Sequence, residues 1–103
     1  MLKLALPALA LCLASPALAD AIDGHWCSAE DRNIQIKGPD ITTPAGVKMT
    51  GDYTRHTFAF VAPAAEPEAG KLVNMRLMGE TRVSVQVDDG AAPAVWKRCE
   101  DVS

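Results

Sequence analysis

Apolar and polar side chains alternate along most of the chain beyond residue 23, and this period of two predicts β-strands. The segment Ile34-Gln35-Ile36 is a short example. No stretch carries an apolar stripe at helical spacing over three turns, and proline and glycine recur throughout. The pattern predicts an all-β domain of about seven or eight short strands in an antiparallel meander, forming a small barrel or sandwich.

One hairpin has a predicted register because its turn residues are specific. Proline and glycine in Thr43-Pro44-Ala45-Gly46 suit a type I turn followed by a left-handed glycine, which makes a three-residue loop. This loop sets Thr43 opposite Val47 and Ile41 opposite Met49, so both pairs share one face.

A second hairpin is predicted from Lys71–Met78 and Thr81–Val87, each with one apolar face. These faces lie on the same side of the sheet only if the connecting loop has an odd number of residues, because a one-residue shift reverses every side chain. We therefore expect a loop with an odd number of residues, with Gly79 in it or beside it.

The other predicted elements are assigned with the same period. Asp23–Ser28 is the first strand, Tyr53–Val61 is one long strand, and Ala94–Cys99 is the last. In the long strand, His56 shares a face with Phe58 and Phe60. The segment Ala62–Gly70 is rich in proline, alanine and glutamate, and we expect a mobile, protruding loop there.

Residues 1–19 have the pattern of a secretory signal peptide. Lys3 precedes the apolar run Leu4–Leu13, and Ala17 and Ala19 form the small-residue cleavage motif. Cleavage before Asp20 leaves 20–103 as a single domain of 84 residues. We expect a periplasmic or secreted protein with no membrane insertion after signal cleavage.

The remaining cysteines predict a disulfide. Cys12 leaves with the signal, and an even number of cysteines in an exported chain is typical of a bridge, here between Cys27 and Cys99. The bridge would bring the first and last strands together and close a barrel. Trp26 and Trp96 have the opposite parity to the cysteines, so the bridge lies on the outer wall if the tryptophans point inward.

Charge excludes one class of partner. Removal of Lys3 with the signal leaves nine basic side chains against 13 acidic ones, a net charge of −4. A mildly acidic domain lacks the basic footprint of a nucleic-acid-binding protein. Nothing in the residue pattern indicates a cofactor.

The opening strand Gly24-His25-Trp26 resembles the Gly-x-Trp start of calycin-type barrels, which include lipocalins and small periplasmic protease inhibitors. This resemblance covers a few residues and the overall architecture, and the chain is shorter than typical lipocalins. It implies a ligand-binding or inhibitor role.

Catalytic chemistry has little support in the sequence. A nucleophilic site needs a base beside the nucleophile, and the candidate bases are His25 and His56. The serines of the mature chain lack a nucleophile-elbow context. We therefore predict that the protein is not an enzyme.

Metal binding is an alternative. His25, Cys27, His56 and Cys99 are suitable ligand types for zinc or copper. Their spacing is not diagnostic, however, and the predicted disulfide removes two of the four ligands.

The predicted function is a binding or inhibitor-type module that contacts an envelope protein or a small ligand. The candidate contact residues, which could equally be core or surface residues, are Trp26, Tyr53, Arg55, His56 and Trp96. A second alternative is a carrier of a small apolar ligand in a cavity bounded by Phe58, Phe60 and the valine face. His56 is expected to lie half-buried at the rim of the core.

Overall fold

The computed structural model describes residues 21–99, so the predicted signal peptide and its cleavage site lie outside the described residues. Within this range the chain forms strands and turns without a helix, and so no helix there could cross a membrane. The strands are β1 (Gly24–Cys27), β2 (Asn33–Lys37), β3 (Asp40–Thr42), β4 (Lys48–Thr50), β5 (Asp52–Tyr53), β6 (Thr57–Val61), β7 (Leu72–Leu77), β8 (Arg82–Val87) and β9 (Ala94–Arg98).

The strands form one antiparallel meander that nearly closes into a barrel. Their order in the sheet is β4-β3-β2-β1-β9-β8-β7-β6-β5, so the first and last strands are neighbours, as predicted. The two outer strands of this order, β4 and β5, are separated along the chain by Gly51 alone. The barrel therefore returns on itself through a bent strand.

Gly51 makes this bend because it has no side chain. A Cβ atom at this position would lie 2.5 Å from the ring of Phe58 and 2.6 Å from the carbonyl oxygen of Ala59. Such distances are too short for any real Cβ atom. The close approach lets the chain pass from β4 to β5 directly against β6.

Both predicted hairpin registers are confirmed. Ile41 pairs with Met49, and the Thr43 N–H donates to the Val47 carbonyl at 2.9 Å. Gly46 has the left-handed backbone expected of it, with φ 90°. In the second hairpin Leu77 pairs with Val83, and a three-residue loop from 79 to 81 places both apolar faces inside.

The single long strand predicted over Tyr53–Val61 is wrong, because a tight turn divides it into β5 and β6. Tyr53 pairs with Phe58, and the Thr54 N–H donates to the Thr57 carbonyl at 2.9 Å. The Thr54 hydroxyl also accepts from the Thr57 N–H at 3.0 Å. His56 consequently lies exposed in the turn, not half-buried at the rim of the core.

The inward-facing residues of the strands fill the barrel. Trp26 is fully buried and Trp96 is 5% exposed, so both tryptophans point inward, the orientation for which the sequence predicts a bridge on the outer wall. The largest buried side chains are Trp26, Phe58, Ile22, Ile34, Ile41, Met75, Val73 and Val83. Cys27 and Cys99 form the predicted disulfide with Cα atoms 5.1 Å apart, on the outer wall.

The two ends of the barrel differ. At the plugged end, defined here by the segment 21–23 and the turns 54–56 and 78–81, Ile22 is fully buried. Its N–H donates to the Arg55 carbonyl at 2.7 Å, and its carbonyl accepts from the Trp26 indole at 2.8 Å. The opposite loop end carries the segments 28–32, 43–47, 62–70 and 88–93.

Candidate functional site

A pocket of about 140 Å³ opens at the loop end of the barrel. We call it the loop-end pocket, and its walls are formed by Glu30, Arg32, Ile34, Phe60, Glu68, Val73, Val85, Val87, Asp89, Ala91, Ala92, Ala94 and Trp96. These residues come from five strands, β2 and β6 to β9, and from three loops at this end. The site is therefore a property of the whole barrel end and not of one loop.

The floor of the loop-end pocket is the top layer of the hydrophobic core. Ile34, Phe60, Val73, Val85 and Trp96 are each at most 7% exposed, and all point inward from different strands. Hydrogen-bonded neighbours hold each of these strands. A floor built on paired strands is more precisely positioned than one built on loops.

The rim of the pocket is acidic. Arg32 is bound to two carboxylates, 2.9 Å from Glu68 and 3.0 Å from Glu66, and its guanidinium lies 5.8 Å from the centre of the Trp96 ring. Burial alone would lower the pKa of Arg32, but the two glutamates outweigh burial and raise it. Because the single arginine is already balanced, Glu30 and Asp89 leave the rim with excess negative charge.

The loop 62–70 is held against the barrel by Glu66, whose side chain is only 2% exposed. Its carboxylate accepts from the Ala45 N–H at 2.8 Å and from the Thr43 hydroxyl, and it pairs with Arg32. The loop predicted to protrude is thus fastened to two neighbouring loops. Burial alone would raise the pKa of Glu66, but these partners together hold the pKa below its ordinary value.

Replacing Glu66 with glutamine should lower the free energy of unfolding by about 1–3 kcal/mol, the usual effect of leaving buried charged partners unsatisfied. The lowered pKa means that the stabilisation is present above the unfolded-state pKa, near 4.5, and is lost as pH falls below it. Urea denaturation of both proteins between pH 7 and about pH 3 would measure this window.

The control for Glu66→Gln is Glu30→Gln, because Glu30 is exposed on the same barrel end. This control should change stability little at any pH. A constant stability difference between the wild type and Glu66→Gln across the acid range would contradict the charge-based role.

The structure separates the predicted contact residues. Trp96 lines the loop-end pocket, whereas Trp26 lies in the core beside the plugged end. Tyr53 donates a short hydrogen bond to Asp23, and the Arg55 carbonyl holds Ile22. Tyr53, Arg55 and His56 therefore lie at the end opposite the pocket and do not form a site with Trp96.

The charged rim of the pocket was not predicted from the sequence, although the meander contains a usable signal. In an antiparallel meander, alternate connections lie at the same end, so the segments 28–32, 62–70 and 88–93 belong together. All three contain acidic residues. The apolar floor follows from inward parity, but the engagement of Arg32 by two glutamates does not.

The four proposed metal ligands do not come together. Cys27 and Cys99 are consumed by the disulfide, His25 hydrogen-bonds Asn33 at 3.0 Å, and His56 lies in the turn between β5 and β6. Between residues 21 and 99 no three histidine, cysteine, aspartate or glutamate side chains are grouped as metal ligands. The described residues therefore do not assemble this four-ligand site.

Comparison with protein-family models, with curated proteins and with solved structures finds no match to this chain. The calycin resemblance thus remains a hypothesis that depends on Gly24-His25-Trp26 and on the barrel architecture.

Proposed function

We propose that this protein is a non-catalytic binding module of the periplasm or cell exterior, whose loop-end pocket seats one apolar group carried by a cationic partner. The observation that carries the proposal is the pocket itself, which has a volume of about 140 Å³, an apolar floor and an acidic rim. The disulfide supports an exported compartment, since such bonds persist where the environment is oxidising.

The volume of the pocket favours a small occupant. Ligand sites for drug-sized molecules usually measure about 300–1,000 Å³, more than twice the space available here. An apolar cavity of about 150 Å³ is known to accept benzene. The loop-end pocket therefore suits one aromatic or branched side chain of a partner, and it argues against a carrier of larger apolar ligands.

The rim determines which apolar groups are favoured. Arg32 is balanced by Glu66 and Glu68, and so Glu30 and Asp89 would attract a positive charge beside the bound apolar group. A protein partner could supply both features through an aromatic residue next to a lysine or arginine. Central apolar anchors in pockets supply much of the binding energy at protein interfaces.

The non-catalytic part of the proposal agrees with the positions of the two histidines. His25 is exposed on β1 and His56 is exposed in the turn at the plugged end, away from the pocket. Neither lines the loop-end pocket. The calycin resemblance, which implies a ligand-binding or inhibitor role, is compatible with the same proposal.

The test uses phenethylamine, which joins one aromatic ring to one ammonium group, with phenylacetate as the probe of opposite charge. We expect phenethylamine to shift the amide NMR signals of the loop end with a millimolar dissociation constant, and phenylacetate to bind at least about tenfold more weakly, since opposite charges near a protein surface contribute about 1 kcal/mol or more. Equal binding of both probes, or shifts confined to other regions, would count against the proposal.

The matched variants are Ala94→Leu and Val95→Leu. Ala94 lines the open pocket, whereas Val95 is 49% exposed and points outward from the same strand. Ala94→Leu should abolish phenethylamine binding without loss of stability, because the added side chain fills open space. Val95→Leu should leave binding unchanged, and a similar loss in both variants would refute the pocket as the site.

A further inference from the structure

The outer wall formed by β6, β7, β8 and β9 contains no acidic residue, although the chain as a whole is acidic. Arg76, Arg82 and Lys97 project from this wall and are exposed. Within residues 21–99 their side chains take part in no ion pair or hydrogen bond. We call this surface the cationic wall.

Two of the cations are placed against each other. Arg82 and Lys97 are direct cross-strand partners on β8 and β9. Like charges in directly opposite positions destabilise a sheet. Arg76 pairs with Ser84, and Ser84 lies two residues along β8 from Arg82. The two arginines are therefore diagonal neighbours, with Cα atoms about 7–8 Å apart. Among residues 21–99 no ion pair compensates this repulsion, and an external anion would relieve it.

A shallow groove of about 300 Å³ runs over the same wall beside these charges. Besides Met75, whose side chain is buried in the core, its lining consists of two hydroxyls, two amides and one guanidinium, from Thr57, Asn74, Arg76, Ser84 and Gln86. The amides and hydroxyls both donate and accept hydrogen bonds. This combination matches a ligand that carries many hydroxyl groups as well as negative charge.

We propose that the cationic wall binds an acidic saccharide, with Arg76, Arg82 and Lys97 contacting its carboxylate, phosphate or sulfate groups and the groove contacting its hydroxyls. An acidic peptide would satisfy the cations, but its backbone offers one donor and one acceptor per residue, whereas each sugar unit offers several hydroxyls that both donate and accept. The headgroups of an anionic membrane form a flat surface, which would contact the three cations but leave the concave groove unfilled. The saccharide satisfies both features of the surface.

The experiment is titration of the mature, disulfide-bonded protein with trigalacturonate, followed by amide NMR. We expect submillimolar binding, with shifts along β7 and β8. Maltotriose has the hydroxyls without the charge, and triglutamate has the charge without the hydroxyls. Maltotriose should bind at least about tenfold more weakly, because it lacks charge-assisted hydrogen bonds, each worth roughly a factor of ten or more. Triglutamate should also bind about tenfold more weakly, because it loses several neutral hydroxyl hydrogen bonds to the groove, each worth roughly a few-fold. Vesicles containing phosphatidylglycerol test the membrane alternative and should not retain the protein.

Arg82→Gln and Lys97→Gln should each weaken trigalacturonate binding by about tenfold or more, the effect of losing one charged hydrogen bond. Both variants should be as stable as the wild type or more stable, since each removes a like-charge contact. The matched control is Lys48→Gln, which removes an exposed charge on β4 and should not alter binding.

Three results would overturn the proposal: triglutamate or vesicles binding as tightly as trigalacturonate, no measurable trigalacturonate binding, or an equal effect of Lys48→Gln. The stability of the variants separates a lost contact from a damaged fold. Because the cationic wall and the loop-end pocket lie on different surfaces, failure of either proposal leaves the other standing.

Discussion

Replacing Cys27 and Cys99 together with alanine should lower the free energy of unfolding by about 4 kcal/mol. The bridge joins residues 72 positions apart, and the loop-entropy model assigns roughly this amount to a loop of such length. For a small domain whose total stability is about 5–15 kcal/mol, the loss is a large fraction. Urea denaturation followed by tryptophan fluorescence would measure it.

The position of the disulfide explains why its removal should also change local dynamics. β1 and β9 pair through only two residue pairs, whereas β6 and β7 pair through five. The covalent bond therefore reinforces one of the two shortest ladders of the barrel, the other being that of β5 and β6. Amide hydrogen exchange of Trp26 and Lys97 should accelerate in the double variant more than exchange in β6 and β7.

Reduction provides the control for the cysteine variant. Dithiothreitol should destabilise the wild type to the level of the double variant and leave the variant itself unchanged. Intact mass before and after reduction and alkylation would verify the bridge in the purified protein. A loss of less than about 1 kcal/mol, well under the loop-entropy value, would show that the bridge is not a main source of stability.

The hairpins were predictable because their turns are encoded locally. Proline and glycine at fixed positions around Thr43–Gly46 determine a loop length, and the apolar alternation on both sides then determines the register. At Gly79 the odd loop length followed instead from the alternation, since both apolar faces must lie on one side of the sheet. The parity of the two Trp–Cys pairs linked inward tryptophans to a bridge on the outer wall, and the structure supplies the inward orientation.

The division of Tyr53–Val61 was missed because the alternation does not stop at the turn. Thr54 and Thr57 make the turn through side-chain hydrogen bonds, and threonine is also a favoured strand residue. Propensity and period therefore both indicate a continuous strand. The turn cannot be predicted locally, because it depends on Gly51, which brings β5 against β6.

The charged contacts at the loop end join residues that are far apart in the sequence, so no local pattern predicts them. Arg32 meets Glu66 and Glu68 across more than thirty residues. The acidic composition of 62–70 is typical of a solvated loop, and nothing in it distinguishes Glu66, whose side chain is 2% exposed, from Glu68, whose side chain is 15% exposed. The apolar floor could be predicted from parity, but the burial of this carboxylate could not.

Gly24, Trp26 and Arg98 form one structural unit that gives the Gly-x-Trp pattern a physical reason. Arg98 is the cross-strand partner of Trp26 and lies 4.3 Å from the centre of its ring. A Cβ atom at Gly24 would collide with the Arg98 guanidinium. The glycine therefore leaves room for the arginine to cover the tryptophan at the plugged end.

Arg98 also ties this end of the barrel together through its hydrogen bonds. Its guanidinium donates to the Ala21 and Asp23 carbonyls at 2.8 Å each, and to the Glu80 carbonyl at 2.5 Å. It thereby fastens the segment that carries Ile22, the side chain that fills the plugged end. Removal of the arginine should release that segment.

Replacing Arg98 with alanine should lower the free energy of unfolding by about 2–4 kcal/mol, since three charge-assisted donors and one ring contact are lost from a partly exposed site. Arg98→Lys should recover less than half, because one ammonium group cannot reach three carbonyls in the fork geometry of a guanidinium. The control is Arg82→Ala on the neighbouring strand, where loss of an exposed side chain should change the free energy of unfolding by at most about 0.5 kcal/mol.

Urea denaturation gives the stabilities of these variants, and hydrogen exchange of the Ile22 amide reports whether the segment 21–23 is released. If Arg98→Ala behaved like Arg82→Ala, the unit formed with Gly24 and Trp26 would contribute nothing to the fold, and the Gly-x-Trp pattern would need another explanation.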